Sequence, residues 1–335
     1  MEKKDNMRLY KIRGYHKVLT AGFKLYTENF RRLFKASWIM ALISAMVCGC
    51  TGTLAAIKIP ALTVALVKQV TALQGIFIKP LLEYGANFIM LIVLSLLSVV
   101  IMALASATIL AKLKEHQAGG AISIPTRWFA VSPKLMWRTL KGVLFTGIII
   151  AVPYLLILAT LIVLAVTKPE ALHARLITIS TTMLIITVII AVLVLPLFYV
   201  LMKYIMEAPC SYWRTMKNCY GTGLRYWGTL FLVFFVSTLV VTITGLVVMM
   251  PAHILNIANQ TAHLGLLMGD PLGMPNYINL LTYVTFTLCC FIQFYVSQVM
   301  LVHNYYVYGA IEEKTKDISS VQHLIQKTNQ GVDNQ

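Results

Sequence analysis

The sequence predicts an all-α, polytopic membrane helix bundle. Three observations carry that prediction: long uncharged apolar runs, a scarcity of charge, and a one-sided placement of the basic residues. The chain has 335 residues, 59% hydrophobic and 12% charged, whereas soluble domains carry about 25% charged residues. Apolar runs lie at 35–57, 86–110, 142–166, 176–201, 228–251 and 278–304, and none holds Asp, Glu, Lys or Arg in its middle. A spanning helix needs about 20 such residues. Six transmembrane helices are therefore expected within a domain over 35–305, between an N-terminal segment (1–34) and a tail (306–335). The first run begins near Phe34, too late for a cleavable secretory signal. The first span is expected to act as its own insertion signal.

The basic residues predict the orientation. Ten precede the second helical turn of the first span. Six lie between the second and third spans, four between the fourth and fifth, and three in the tail. Lys58, Lys68, Lys79, Lys168 and Arg175 are the five on the other side. Basic loops stay in the cytoplasm, so both ends are expected inside, in a bacterial inner membrane. Residues 61–78 are fairly apolar but carry Lys68, Gln69 and Gln74. A span there would send the basic loops outside, so this stretch is expected to be an interfacial or partly embedded helix. The net charge of +16 sits beside the apolar runs. That placement points to anionic lipid headgroups rather than nucleic acid as the partner.

The six spans read as three hairpin modules, each preceded by a basic amphipathic helix. In the first, Tyr15, Val18, Leu19, Gly22, Phe23, Tyr26, Phe30, Leu33 and Phe34 follow helical spacing, with Lys17, Lys24, Glu28 and Arg31 on other faces. That pattern predicts a helix lying in the headgroup plane. The second is expected to start at Ser132 as N-cap with Pro133 in first position. In the third, Tyr212, Trp213, Met216, Cys219 and Tyr220 oppose Arg214, Lys217 and Asn218. Before each outward span an arginine sits beside an aromatic or apolar residue: Phe30-Arg31-Arg32-Leu33, Trp137-Arg138-Thr139-Leu140 and Leu224-Arg225-Tyr226-Trp227. Arg31, Arg138, Arg225, Trp137 and Trp227 are thus candidate lipid-interface residues, with rings at headgroup level and guanidinium groups on phosphate.

The triple unit, these arginine-aromatic pairs and the tail Asn304-Tyr305-Tyr306-Val307-Tyr308-Gly309-Ala310-Ile311-Glu312-Glu313-Lys314 resemble a group of uncharacterised six-span bacterial inner-membrane proteins. That group is similar to the membrane domain attached to some glycerophosphoryl diester phosphodiesterases. The resemblance spans roughly 14–316. It implies a six-helix membrane domain without the hydrolase part, so no catalytic residue follows from it.

Other candidates come from the residues themselves. Ser37, Ala41, Ala45, Gly49 and Thr53 form a small-residue stripe that lets helix backbones approach closely, inside the bundle or against a second subunit. Pro153 and Pro196 interrupt backbone hydrogen bonding within spans and are expected to kink them, a shape that can border a cavity or gate. Gln293, Ser297 and Asn304 line one face of the sixth span and are expected either to border a cavity or to bond neighbouring helices. Asn259-Gln260-Thr261 matches a glycosylation acceptor in form, and Asp270-Pro271-Leu272-Gly273 reads as a turn. The six cysteines show no Cys-x-x-Cys pair, and the seven histidines are scattered along the chain. No cofactor or metal site is expected. The leading functional expectation is a non-enzymatic protein that organises membrane or recruits partners. A permease and, less favoured, a membrane-embedded enzyme such as an oxygenase are the alternatives.

Overall fold

The computed structural model describes the backbone of residues 8–71, 78–119, 121–123, 131–167, 176–207, 210–267, 269, 275 and 277–332. These residues are all-helical, with no strand among them. The helices are α1 (Tyr15–Thr71), α2 (Ile78–Gln117), α3 (Pro133–Thr167), α4 (Leu176–Met206), α5 (Tyr212–Arg225), α6 (Trp227–Leu267) and α7 (Tyr277–Val332). All but α5 contain a stretch long and apolar enough to cross a bilayer: Tyr15–Leu62, Gly85–Gln117, Pro133–Ile157, Thr181–Met206, Trp227–Ala262 and Tyr277–Gln322. The pairs α1–α2, α3–α4 and α6–α7 pack as hairpins, and the most extensive contact joins the first helix to the last.

The chain is an integral membrane protein, and its surface shows why. Ile89, Ile92, Val93 and Leu96 of α2, Leu184, Ile185 and Val188 of α4, and Ile243, Leu246, Val247 and Met250 of α6 are all more than half exposed. An apolar surface this continuous is not tolerated in water. It belongs in lipid, where all backbone groups must be satisfied within helices.

The core lies to one side of this apolar band. It is built from Val18, Leu25 and Leu33 of α1, Ile109, Leu110 and Leu113 of α2, Tyr199, Val200 and Met202 of α4, and Val302 to Ile311 of α7. We call this the basal end. The N-terminal segment enters it as well: a Cβ on Gly309 would stand 2.6 Å from the Leu9 carbonyl oxygen, so only glycine admits that strand of backbone.

Several expectations change here. The first amphipathic segment is not a separate helix in the headgroup plane. It is the opening third of α1, about 86 Å long at 1.5 Å per residue, since no glycine or proline separates Phe34 from Ser37. Most of its apolar face is covered by protein, with Tyr15 and Phe30 left exposed. Phe23 meets the His303 ring at 4.5 Å between centroids, the Tyr26 hydroxyl donates to the Tyr295 carbonyl at 2.7 Å, and Phe34 lies against Tyr295. The second segment likewise continues unbroken into α3, which starts at Pro133 directly after Ser132. Only the third is a distinct helix, α5, set off from α6 by a turn at Tyr226. The boundary drawn at 305/306 falls inside α7, in its most buried stretch.

Two outer expectations also shift. Residues 61–71 prolong α1 past Pro60 rather than forming their own helix, while 72–77 lie outside the described residues. The connection over 252–276 is largely helical, because α6 runs through Pro251 to Leu267. Asn259 is consequently a buried residue of that helix, not a surface loop acceptor. The turn sequence at 270–273 lies outside the described residues.

Candidate functional site

The basal end is held by a hydrogen-bonded network that joins four parts of the chain. Glu312 of α7 accepts from the Tyr199 hydroxyl at 2.5 Å and from the Lys203 ammonium at 2.6 Å, both on α4. Glu207, one turn beyond Lys203, stands 3.9 Å from that ammonium and accepts from the Tyr308 hydroxyl at 2.7 Å. Since Tyr308 donates to Glu207, its oxygen is left to accept from Tyr10 at 3.3 Å. Tyr10 in turn accepts from the Gln117 amide of α2 at 2.6 Å. Every donor in this chain points toward the carboxylate, an arrangement in which each bond polarises the next. Beside it, His116 Nδ1 pairs with the Tyr305 hydroxyl at 3.0 Å, and the Arg13 guanidinium lies over the Tyr306 ring. Sequence reading missed this network. Its signal was the Tyr305-Tyr306-Val307-Tyr308 run, which looks like an interface belt until its hydroxyl partners are known.

The three arginine-aromatic pairs have different fates. Arg31 and Arg225 are exposed. Arg138 is not available to lipid. Its guanidinium donates to the carbonyls of Tyr204 (2.5 Å), Glu207 and Cys210 (3.4 Å) and stacks on the Tyr204 ring. These carbonyls are at and beyond the C-terminal end of α4, where the last turn has no intrahelical donors. Arg138 therefore caps α4 from α3. Trp137 is 57% exposed, with the Lys141 ammonium over its ring at 5.0 Å.

Trp227 and Pro196 belong to one arrangement. Pro196 has no N–H, which frees the Val192 carbonyl one turn earlier. The Trp227 indole N–H donates to that oxygen at 3.2 Å, and the Tyr220 hydroxyl donates to the neighbouring Leu193 carbonyl at 2.9 Å. Gly223 lets α5 come close enough: a Cβ there would be 2.9 Å from the Pro196 ring. The proline thus seats α5 on α4 instead of opening a gap. Pro153 stays half-buried in α3.

So anchored, α5 turns Tyr212, Thr215 and Gly223 inward and leaves Trp213, Arg214, Lys217, Leu224 and Arg225 exposed. The Tyr212 hydroxyl and Thr146 of α3 are 2.7 Å apart. Burial raises the Tyr212 hydroxyl above its ordinary range, opposed by the Thr146 bond. Between the end of α4 and the start of α5 lies a cleft of ≈ 290 Å³ bordered by Lys203, Glu207, Ser211, Arg214, Thr215 and Asn218. Cys219 also faces it, with a thiol that burial pushes up against the opposing pull of Lys203.

The small-residue stripe packs within the bundle. Ser37, Ala41 and Ala45 are almost fully buried; the Ser37 hydroxyl is 3.3 Å from that of Tyr295, and Gly49 abuts Thr287. Thr53 is half-buried and bonds its own helix. On α7, Ser297 likewise bonds back to Phe294, Asn304 donates to the Phe198 carbonyl at 3.0 Å, and Gln293 reaches α6. Among the described residues no three His, Cys, Asp or Glu side chains converge on one point. No family model matches this chain, and neither the curated proteins nor the solved structures include a match to it.

Proposed function

We propose that the protein is a non-enzymatic component of the bacterial inner membrane that gathers anionic lipid at its cytoplasmic face and so organises the membrane around it. The basal end is the cytoplasmic end in this reading, and anionic headgroups are the partner. The observation that carries it is the outer face of α5. A helix fixed through Tyr212, Thr215 and Gly223 offers two exposed apolar side chains, Trp213 and Leu224, beside three exposed cations, Arg214, Lys217 and Arg225. Aromatic groups at headgroup level with cations beside them suit an anionic interface, at about 1 kcal/mol per basic residue near the surface. Trp137 with Lys141, and Arg31 on α1, extend the same rim.

The test is lipid retention. Native mass spectrometry of the protein purified with equal phosphatidylglycerol and phosphatidylcholine should show preferential retention of the anionic lipid. Reversing Arg214, Lys217 and Arg225 to Glu should abolish that preference without unfolding the chain, because all three are exposed. A preference unchanged in this triple variant would end the proposal. Arg138→Ala provides the contrast. It should lower thermal stability by about 1–3 kcal/mol through uncapped α4 carbonyls and leave the lipid preference intact.

A further inference from the structure

In the cleft between α4 and α5, not every charge is paired. The Lys203 ammonium is held by Glu312 at 2.6 Å, so these two neutralise each other. Two charges remain. Glu207 gives Oε1 to the Tyr308 hydroxyl and stands 3.9 Å from the already paired Lys203. Its side chain is 40% exposed, and Oε2 accepts no hydrogen bond among the described residues. Arg214 is exposed and forms no ion pair among them. Both border the same ≈ 290 Å³ cleft without meeting. Two exposed neutral groups share the lining: the Ser211 hydroxyl, which does not cap α5, and the Asn218 amide.

This layout selects an occupant by charge. A free phosphate would suit Arg214 but leave an anion facing Glu207. A simple amine would suit Glu207 but face Arg214. A molecule carrying both an ammonium and a phosphate satisfies both. A guanidinium takes phosphate oxygens through two parallel N–H bonds, and an ammonium N–H makes a charge-assisted bond to a carboxylate. Position selects the source. The membrane-spanning part of α4 ends at Met206, one residue before Glu207, and Trp213 beside Arg214 is 49% exposed. Further along α4, Leu184, Ile185 and Val188 belong to the exposed apolar band. A headgroup in the cleft can therefore keep its acyl chains in the bilayer.

We propose that this cleft binds the ethanolamine-phosphate headgroup of a phospholipid, with the phosphate on Arg214 and the ammonium on Glu207. The site rests on α5 lying at headgroup level, as in the reading above, and adds a choice among headgroups that the basic rim does not make. The experiment uses the full chain and native mass spectrometry. Phosphatidylethanolamine, its N,N-dimethyl derivative and phosphatidylcholine, with identical acyl chains, are supplied in equal amounts. The first two keep an N–H and should be retained about tenfold over phosphatidylcholine, the effect of one hydrogen bond to a charged group. Glu207→Gln, whose amide oxygen still accepts from Tyr308, should bring all three to equal retention and leave the preference for phosphatidylglycerol in place. Should that variant fail to fold, Arg214→Gln decides, since its side chain is exposed: retention of phosphatidylethanolamine should fall by a similar factor. Soluble glycerophosphoethanolamine should displace the lipid only in large excess; displacement at equal concentration would overturn the assignment to lipid. Equal retention of phosphatidylethanolamine and phosphatidylcholine by the native chain would overturn the site, and a surviving phosphatidylglycerol preference would then spare the rim. An unchanged ethanolamine preference in the variant that folds would overturn it as well.

Discussion

Replacing Glu312 with alanine should destabilise the protein by about 3 kcal/mol or more, read as a lowered thermal midpoint in detergent. The carboxylate serves two donors at once, Tyr199 at 2.5 Å and Lys203 at 2.6 Å. Its removal leaves a hydroxyl on a fully buried tyrosine without an acceptor, and an ammonium only 20% exposed with Glu207 3.9 Å away. An orphaned buried hydroxyl costs about 1–3 kcal/mol, and breaking a buried ion pair from one side about 3–5 kcal/mol. These overlap, so they do not add. Glu312→Gln should cost less, because its carbonyl still accepts from one donor. The double variant Lys203→Met, Glu312→Leu should recover much of the loss, since removing both charges leaves neither unpaired. Equal loss in Glu312→Ala and in the double variant would show that side-chain volume, not charge, sets the effect.

Gly49→Leu should be the most damaging change among the span residues. A Cβ at Gly49 would stand 2.2 Å from Thr287 Oγ1 and 3.2 Å from the Thr287 Cα. A side chain there must push α1 from α7, the most extensive helix pair in the fold. Overpacking costs about 1–3 kcal/mol, against roughly 1 kcal/mol gained in helix propensity on leaving glycine. Leucine should be net destabilising. Gly49→Ala is the finer probe. Thr287 Oγ1 has no hydrogen-bond partner among the described residues, so Thr287→Ala removes the nearest clash at little other cost. A double-mutant cycle should therefore show Gly49→Ala rescued by Thr287→Ala, with a coupling of about 1 kcal/mol. Additive effects would mean the two helices are not in contact at this level.

The spans were legible because their signal is local: an apolar run of about 20 residues has few other places to go. What lay between them was harder. The face from Tyr15 to Phe34 has the same spacing whether lipid or another helix covers it, and α7 covers its middle here through Tyr295 and His303. An amphipathic pattern says that a face is buried, not by what. Arg138 was misassigned for a related reason. An arginine beside an aromatic matches a phosphate contact in sequence, but the carbonyls ending α4 lie about 70 residues away and claim it first. The carboxylates of the basal network were invisible on the same grounds, since Glu312 and Tyr199 are 113 residues apart. Pro196 was recognised as an interruption, but its consequence depends on the indole of Trp227 filling the freed carbonyl.

Everything proposed for the basal rim depends on its facing the cytoplasmic leaflet. Cys210 is exposed at that end, beside the cleft at the start of α5. In a variant retaining Cys210 as its only cysteine, a membrane-impermeant maleimide should label the protein in inverted inner-membrane vesicles and leave it unlabelled in intact spheroplasts. Labelling from the outside of spheroplasts would contradict the orientation and, with it, the assignment of the basic rim to anionic lipid at the cytoplasmic face.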